Sequence, residues 1–275
     1  MSTLWLNGRL LDAARARIDP ADRGFLLGDG LFETMRAQDG AVPLLARHLA
    51  RLRAGTDVMG IPFEATDAAL TKACAALLAA NGFVGGAAAL RLTLTRGPGP
   101  RGLLPPPDAT PTLLLAAFPA PPPRPPATAA IVTIRRNEHS PTSRLKTLAY
   151  QDQILALKEA RAAGAEEALM LNTAGRLACA STANLFVVTR DGRLLTPALD
   201  EGVLPGITRA RVLEVAARVG IAAEATRIEP AVLDEAEAVF LTSSLTGLRA
   251  VVRIEGRRAP LDADHAMVRR LAETA

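Results

Sequence analysis

The chain has 275 residues, 49% of them apolar and 22% charged, which suits one large or two modest globular domains, each with its own core. Its net charge is only +4, and with one Trp and one Tyr it offers few aromatic platforms for bases, so nucleic-acid binding is not expected. Cys74 and Cys179 belong to no CxxC or Cys/His cluster, which argues against a disulfide framework or a metal site; with no long apolar run, the expectation is a cytoplasmic protein without a membrane partner.

From the N-terminus, LWLNGRLLD (4–12) gives two short strands around an Asn-Gly turn. GFLLGDGLFETMRAQDG (24–40) reads as a turn, a strand and a second turn. VPLLARHLARLRAGTDVMG (42–60) is helical, with Leu45, Leu49 and Leu52 in a buried stripe and with His48 and Arg51 together on its flank. A second helix in ATDAALTKACAALLAANG (65–82) starts at a Thr66/Asp67 cap, stops at Gly82, and buries Leu70, Cys74, Leu77 and Leu78. Next, ALRLTLTRG (89–97) alternates Leu90, Leu92 and Leu94 with polar residues as a half-buried strand, and runs into the loop RGPGPRG.

PAPPPRPPA (119–127) cannot be helix interior or central strand and reads as a stiff connector. It divides an N-terminal domain, 1–118, from a C-terminal domain, 128–275. In the latter, AAIVTIRRN is a strand, SRLKTLAYQDQILALKEARAAG carries Lys146 just before a helix ending at Gly164, and EALMLNTAGRL is a strand with a turn. NLFVVTRDGRLLTP is a hairpin, PGITRARVLEVAARVG a helix between glycines, and AVFLTSSLTGLRAVVRIEGR two further strands. Strands and helices interleave without a regular repeat, so the expected fold class is α/β (α+β), two domains with mixed sheets.

Among 32 Lys and Arg residues only Lys72, Lys146 and Lys158 are lysines. An amine can lose its proton and attack a carbonyl, which a guanidinium cannot do. Lys72 and Lys158 fall on solvated helix faces, whereas Lys146 sits at an element junction among Leu145, Leu148 and Ala149. Three separate features suit a phosphate: the helix start after Gly206, with N–H groups at Ile207 and Thr208; the hydroxyls of TSSLTG (242–247); and Arg51. A junction lysine with several anion holders is what pyridoxal 5′-phosphate requires.

The stretches DRGFLLGDGLFETMR, RHLARL, RLTLTRGPGPRG, LKTLAYQDQILALKEA, NLFVV, LLTPALDEGVLPGITR and FLTSSLTGLRAV occur in order along almost the whole chain. In this the sequence resembles the fold-type IV pyridoxal-phosphate enzymes, which include branched-chain and D-amino-acid aminotransferases and 4-amino-4-deoxychorismate lyase. The resemblance implies a homodimer with its active site between the two domains, completed by the partner subunit. It implies Lys146 as the Schiff-base lysine and general base. Arg51, Ile207, Thr208, Ser243 and Ser244 match the phosphate cup, Leu204 the leucine against the ring, and Tyr150 a group near the phenolic oxygen. Phe32 matches a pocket-lining aromatic, and Arg101 falls where D-amino-acid aminotransferases grip the substrate carboxylate. The companion histidine is Leu103 here, and Ala89 stands where branched-chain enzymes have a tyrosine. The expected reaction is amino-group transfer between an amino acid and a 2-oxo acid; 4-amino-4-deoxychorismate lyase is the alternative, and a weakly active cofactor-binding scaffold a lesser one.

RLACASTANLF (176–186) holds the clearest departure. On composition alone Cys179 is a packing residue. The resemblance places it five residues before Asn184, where relatives carry a glutamate facing the cofactor's ring nitrogen. A neutral thiol, a thiolate paired with the ring cation, and a packing cysteine beside an altered cofactor pose all remain open at this point.

Overall fold

The computed structural model describes residues 2–257 and 260–274. Cα packing divides it into two units, Met1–Pro122 with Lys146–Ala149, and Pro123–Leu145 with Tyr150–Ala275.

In the first unit, β1 (Thr3–Leu6) and β2 (Arg9–Asp12) form the expected hairpin. Its turn residues Asn7 and Gly8 have φ of 45° and 91°, the left-handed pair that matches strand twist in a two-residue loop. Where the sequence suggests a turn, the chain instead forms a short helix, α1 (Arg23–Leu27). Asp22 accepts the Gly24 N–H at 2.8 Å to cap its start, and Gly28, at φ 68°, ends it. Then come β3 (Gly30–Gln38), α2 (Leu45–Met59), α3 (Asp67–Ala80) with its Thr66 cap, β4 (Ala87–Thr95) and β5 (Thr112–Pro119). The sheet is antiparallel in the order β2-β1-β5-β4-β3. Its core face carries Met35, Leu90, Leu92, Leu94 and Leu115, and α2 and α3 cover it with Leu49, Leu52, Leu70, Leu77 and Leu78, all buried.

The second unit contains β6 (Ala127–Arg136), α4 (Gln151–Ala162), β7 (Glu167–Asn172), β8 (Leu177–Ala180), β9 (Asn184–Val188) and β10 (Leu194–Pro197). It continues with α5 (Ile207–Arg218), β11 (Ala223–Thr226), α6 (Val232–Glu235), β12 (Ala238–Ser243), β13 (Gly247–Ile254) and α7 (Ala266–Thr274). Its sheet, ordered β11-β10-β9-β12-β13-β6-β7-β8, is mixed, with β13–β6, β6–β7 and β10–β11 parallel. The Leu177 N–H, opening β8, donates to Ile228 O just past β11 at 2.9 Å, so the sheet edges approach each other. One core cluster gathers Leu169, Leu185, Val187, Val239 and Val251 from four strands, and a second packs Phe186 and Phe240 under α5 and α7.

Two boundaries differ from the expectation. The connector is shorter than 119–127, because β5 runs through Pro119 and β6 opens at Ala127; prolines are tolerated at these strand ends, where no ladder N–H is required. Lys146–Ala149, expected with the C-terminal domain, packs with the first unit. Lys146 O accepts the Phe32 N–H at 2.9 Å, and the Leu148 N–H donates to Gly30 O at 3.0 Å, with Leu31 opposite Thr147. The lysine therefore rides on an antiparallel bridge along β3. Among the described residues, no helix is long and apolar enough to cross a membrane.

Candidate active site

Lys72 and Lys158 are exposed, and only Lys146 is enclosed in part. Backbone pairing to β3 fixes its Cα, and the approach is close enough to demand glycine at the start of that strand. A Cβ on Gly30 would lie 2.4 Å from Leu94 O and 2.7 Å from the Leu148 side chain. Lys146 Nζ lies 4.2 Å from the Phe32 ring centroid, and Arg91 Cζ lies 3.9 Å from the same centroid. Part of the lysine's surface remains exposed, but its amine end lies among protein atoms. Burial, with the neighbouring charges of Arg51 and Arg91, lowers the amine from 10.5 to about 8 against the opposing pull of Glu33.

Glu33 is the residue that sequence reasoning misses. It stands in phase with Leu31, Met35 and Ala37 on the core face of β3, and its side chain is 1% exposed. Two α2 side chains neutralise it: His48 Nδ1 contacts Oε2 at 2.7 Å, while Arg51 donates from Nε to Oε1 at 2.8 Å and from Nη2 to Oε2 at 2.5 Å. Burial pushes the carboxyl up, but these hydrogen bonds and charges outweigh it and hold it below the ordinary range. His48 and Arg51, on the flank of the buried stripe, both turn to this acid on β3; His48 is 2% exposed. The usable signal was a charge at an inward strand position. Arg91 was also missed, read only as the polar half of the β4 alternation.

In the second unit, β9 and β12 pair Asn184 with Thr242. The Asn184 Nδ2 donates to Leu204 O at 2.9 Å, and a Cβ on Gly206 would fall 1.9 Å from Asn184 Oδ1. Gly206 is therefore required where the chain enters α5, and no side chain caps the first-turn N–H groups of Ile207 and Thr208. Beside this lie Ser243, closing β12, and Ser244 in the following turn, with Ser243 Oγ accepting the Thr246 N–H at 3.3 Å. Tyr150 precedes α4 at its N-cap. Cys179 is on β8 opposite Met170, half-buried beside Ala130, Val132, Ala156 and Ala160. Burial raises its thiol pKa, partly offset by Arg136. That guanidinium is itself held by the Ser143 and Gly202 carbonyls.

Residues 30–254 match the family model of the amino-transferase class IV proteins. The chain belongs to the class IV aminotransferase family. The putative branched-chain-amino-acid aminotransferase of Methanocaldococcus jannaschii is 32% identical over 92% of this chain and 88% of its own. The 4-amino-4-deoxychorismate lyase of Pseudomonas aeruginosa superposes with a TM-score of 0.84 at 33% identity, covering 98% of this chain and 97% of that one. The branched-chain amino acid aminotransferase of T.th., solved with N-(5'-phosphopyridoxyl)-L-glutamate, gives a TM-score of 0.90 at 26% identity over 99% and 92% of the two chains. The fold is the mixed α/β architecture of fold-type IV, and the cofactor of this class IV enzyme is pyridoxal 5′-phosphate.

The residues present fit that cofactor. An enclosed amine brought down to about 8 suits an aldehyde. An uncapped helix start reached through an obligatory glycine suits a phosphate monoester. The buried Thr242 Oγ1 beside that start lacks a hydrogen-bond partner among the described residues, as a hydroxyl reserved for a ligand would. Lys146, Arg51 and Phe32 come together in the first unit, while Leu204, Ile207, Thr208 and Ser243 gather around Asn184 and Thr242 in the second. Arg101 joins neither group. It is exposed, on a loop tied down by Arg23, which donates to Gly102 O at 2.9 Å and Leu103 O at 2.7 Å.

Proposed function

We propose that this class IV enzyme transfers an amino group between an amino acid and a 2-oxo acid. The observation that carries the reading is the Lys146 amine, fixed along β3 and held at about 8 beside Phe32, Arg51 and Arg91. Pyridoxal phosphate, when bound, supplies a carbonyl that takes up the amino group and an electron-withdrawing ring that acidifies the α C–H. Lys146 Nζ, brought down to about 8 and so unprotonated in part at physiological pH, takes the proton from the substrate Cα and holds it for return. Arg51, the N–H groups of Ile207 and Thr208, and the hydroxyls of Ser243 and Ser244 hold the phosphate. Leu204 packs against the ring, Tyr150 serves the phenolic oxygen, and Phe32 lines the substrate side. Cys179 stands at the ring nitrogen as a neutral thiol, a reading its raised pKa supports.

The proposal extends to a cytoplasmic homodimer. Phe25, 77% exposed, and Leu103 and Leu104, at 83% and 87%, present apolar surface on two segments joined by Arg23, and a second copy would cover it. Arg101 lies on the same exposed loop, placed to grip a substrate carboxylate in the partner's site. Two free thiols, Cys74 and Cys179, are in keeping with a reducing compartment.

A second reading, 4-amino-4-deoxychorismate lyase, is favoured by the 33% identity to the Pseudomonas aeruginosa lyase. Mixing the holoenzyme with D- and L-glutamate or alanine separates the two. A transaminase converts the cofactor to pyridoxamine phosphate, visible as loss of its near-visible absorption and release of 2-oxo acid. Unchanged absorption with all of these amino acids refutes transamination and leaves the lyase.

A further inference from the structure

We propose that Glu33 is a positioning residue for phosphate recognition: clamped by His48 on one side, its carboxylate orients the Arg51 fork toward the cofactor's phosphate. The inference rests on the reading of Arg51 as a phosphate holder.

The core face of β3 does not need a carboxylate. Leu31 and Met35, two positions either side, fill the same face with apolar side chains and are buried. A buried ionic cluster is often no more stable than apolar residues of the same volume, so its presence here calls for a role beyond packing. The geometry supplies one. Glu33 engages the Nε edge of Arg51 with both oxygens, at 2.8 and 2.5 Å, which fixes the plane of the guanidinium and directs its Nη1 side away from the carboxylate. His48 Nδ1, 2.7 Å from Oε2, fixes the carboxylate in turn. All three side chains come from rigid elements, β3 and α2, and Arg51 lies within electrostatic reach of Lys146. Glu33 is 1% exposed and enclosed by His48 and Arg51, so its role is exerted through Arg51. Removing an outer partner that orients a metal ligand typically costs ~10- to 100-fold in affinity, and Glu33 supports the Arg51 fork in the same manner.

The test compares equilibrium dissociation constants of pyridoxal 5′-phosphate and of pyridoxal, which lacks the phosphate, in the wild type, Glu33→Gln and Arg51→Ala. Glu33→Gln cannot offer two acceptor oxygens to the fork. It is expected to weaken pyridoxal phosphate binding ~10-fold or more while leaving pyridoxal affinity unchanged. An unchanged preference for the phosphorylated form overturns the proposal, as does an equal loss for both ligands, which would mark a general structural defect. If Glu33→Gln does not fold, His48→Ala carries the test, with a smaller loss of the same preference expected and no loss overturning the inference. Arg51→Ala separates the two levels: if it too leaves the preference intact, Arg51 does not hold the phosphate and the underlying reading fails, whereas loss in Arg51→Ala alone refutes only the role of Glu33.

Discussion

Replacing Lys146 by methionine tests how strongly the fold acts on its amine. Methionine approximates the apolar stem and removes the charge. Moving an amine from 10.5 to about 8 corresponds to about 3 kcal/mol at ~1.4 kcal/mol per pH unit. Part of the side chain is exposed, and solvent screening reduces the expected effect to about 1–2 kcal/mol. The sign follows from proton linkage: the pKa is lowered on folding, so the unfolded chain binds the proton more tightly. The charged amine costs the folded state its full penalty below about pH 8, and the penalty fades as pH rises toward the unfolded value. In the cofactor-free protein Lys146→Met should raise Tm at pH 7 by roughly 3–6 °C, taking about 2–4 °C per kcal/mol for a domain of this order of size. The advantage over wild type should shrink as the pH is raised toward the ordinary lysine range. Thermal melts of both proteins across that range decide the matter. An advantage that does not vary with pH, or that grows in alkali, would show that burial and the Arg51 and Arg91 charges do not depress this amine.

Three further outcomes follow from the same geometry. Cys179→Glu is expected to retain the cofactor and to change the rate of Cα deprotonation, read by substrate deuterium exchange; if exchange rate and cofactor spectrum are both unchanged, position 179 does not face the ring nitrogen. Gly206→Ala drives a Cβ into Asn184 Oδ1, and relieving it means losing the Asn184–Leu204 hydrogen bond or shifting the start of α5. A stability loss of about 2–4 kcal/mol in denaturant melts should come with weaker cofactor binding. Arg101→Ala should raise KM for the amino acid without releasing cofactor, as measured by steady-state kinetics and dialysis.

Much of the framework was legible because it is local. The Asn7-Gly8 turn, the Thr66 cap, the Leu90/Leu92/Leu94 alternation and the Gly206 helix entry are each written in a few neighbouring residues, and the structure realises all four. β5 was not legible. Its TLLLAAFP run lacks alternation and abuts prolines, and its strand state comes from pairing with β1 and β4 on either side. Lys146 was identifiable by scarcity and position, but its attachment to β3 rests on backbone hydrogen bonds to residues far away in the sequence, which no side-chain pattern encodes. Glu33 was hidden for a related reason: a strand acid reads as solvent-facing until its inward phase is set by the register with β4 and the cover of α2.

The placement of Arg136 explains how a thiol can stand at position 179. A buried or half-buried guanidinium must have its donors satisfied, and a carboxylate on β8 would be one natural acceptor. This chain satisfies Arg136 with main-chain oxygens instead, Ser143 O in the loop leading to Lys146 and Gly202 O in the loop leading to α5. The cation therefore does not depend on residue 179, and a neutral, small side chain there leaves no unpaired charge behind. It also leaves Arg136 as the charge that acts on the thiol, which burial otherwise keeps protonated. A side chain facing the ring nitrogen without a negative charge stabilises the protonated ring less than a carboxylate does. In the proposed reading a neutral thiol at that nitrogen would leave the ring a weaker electron sink, which the Cys179→Glu exchange experiment tests.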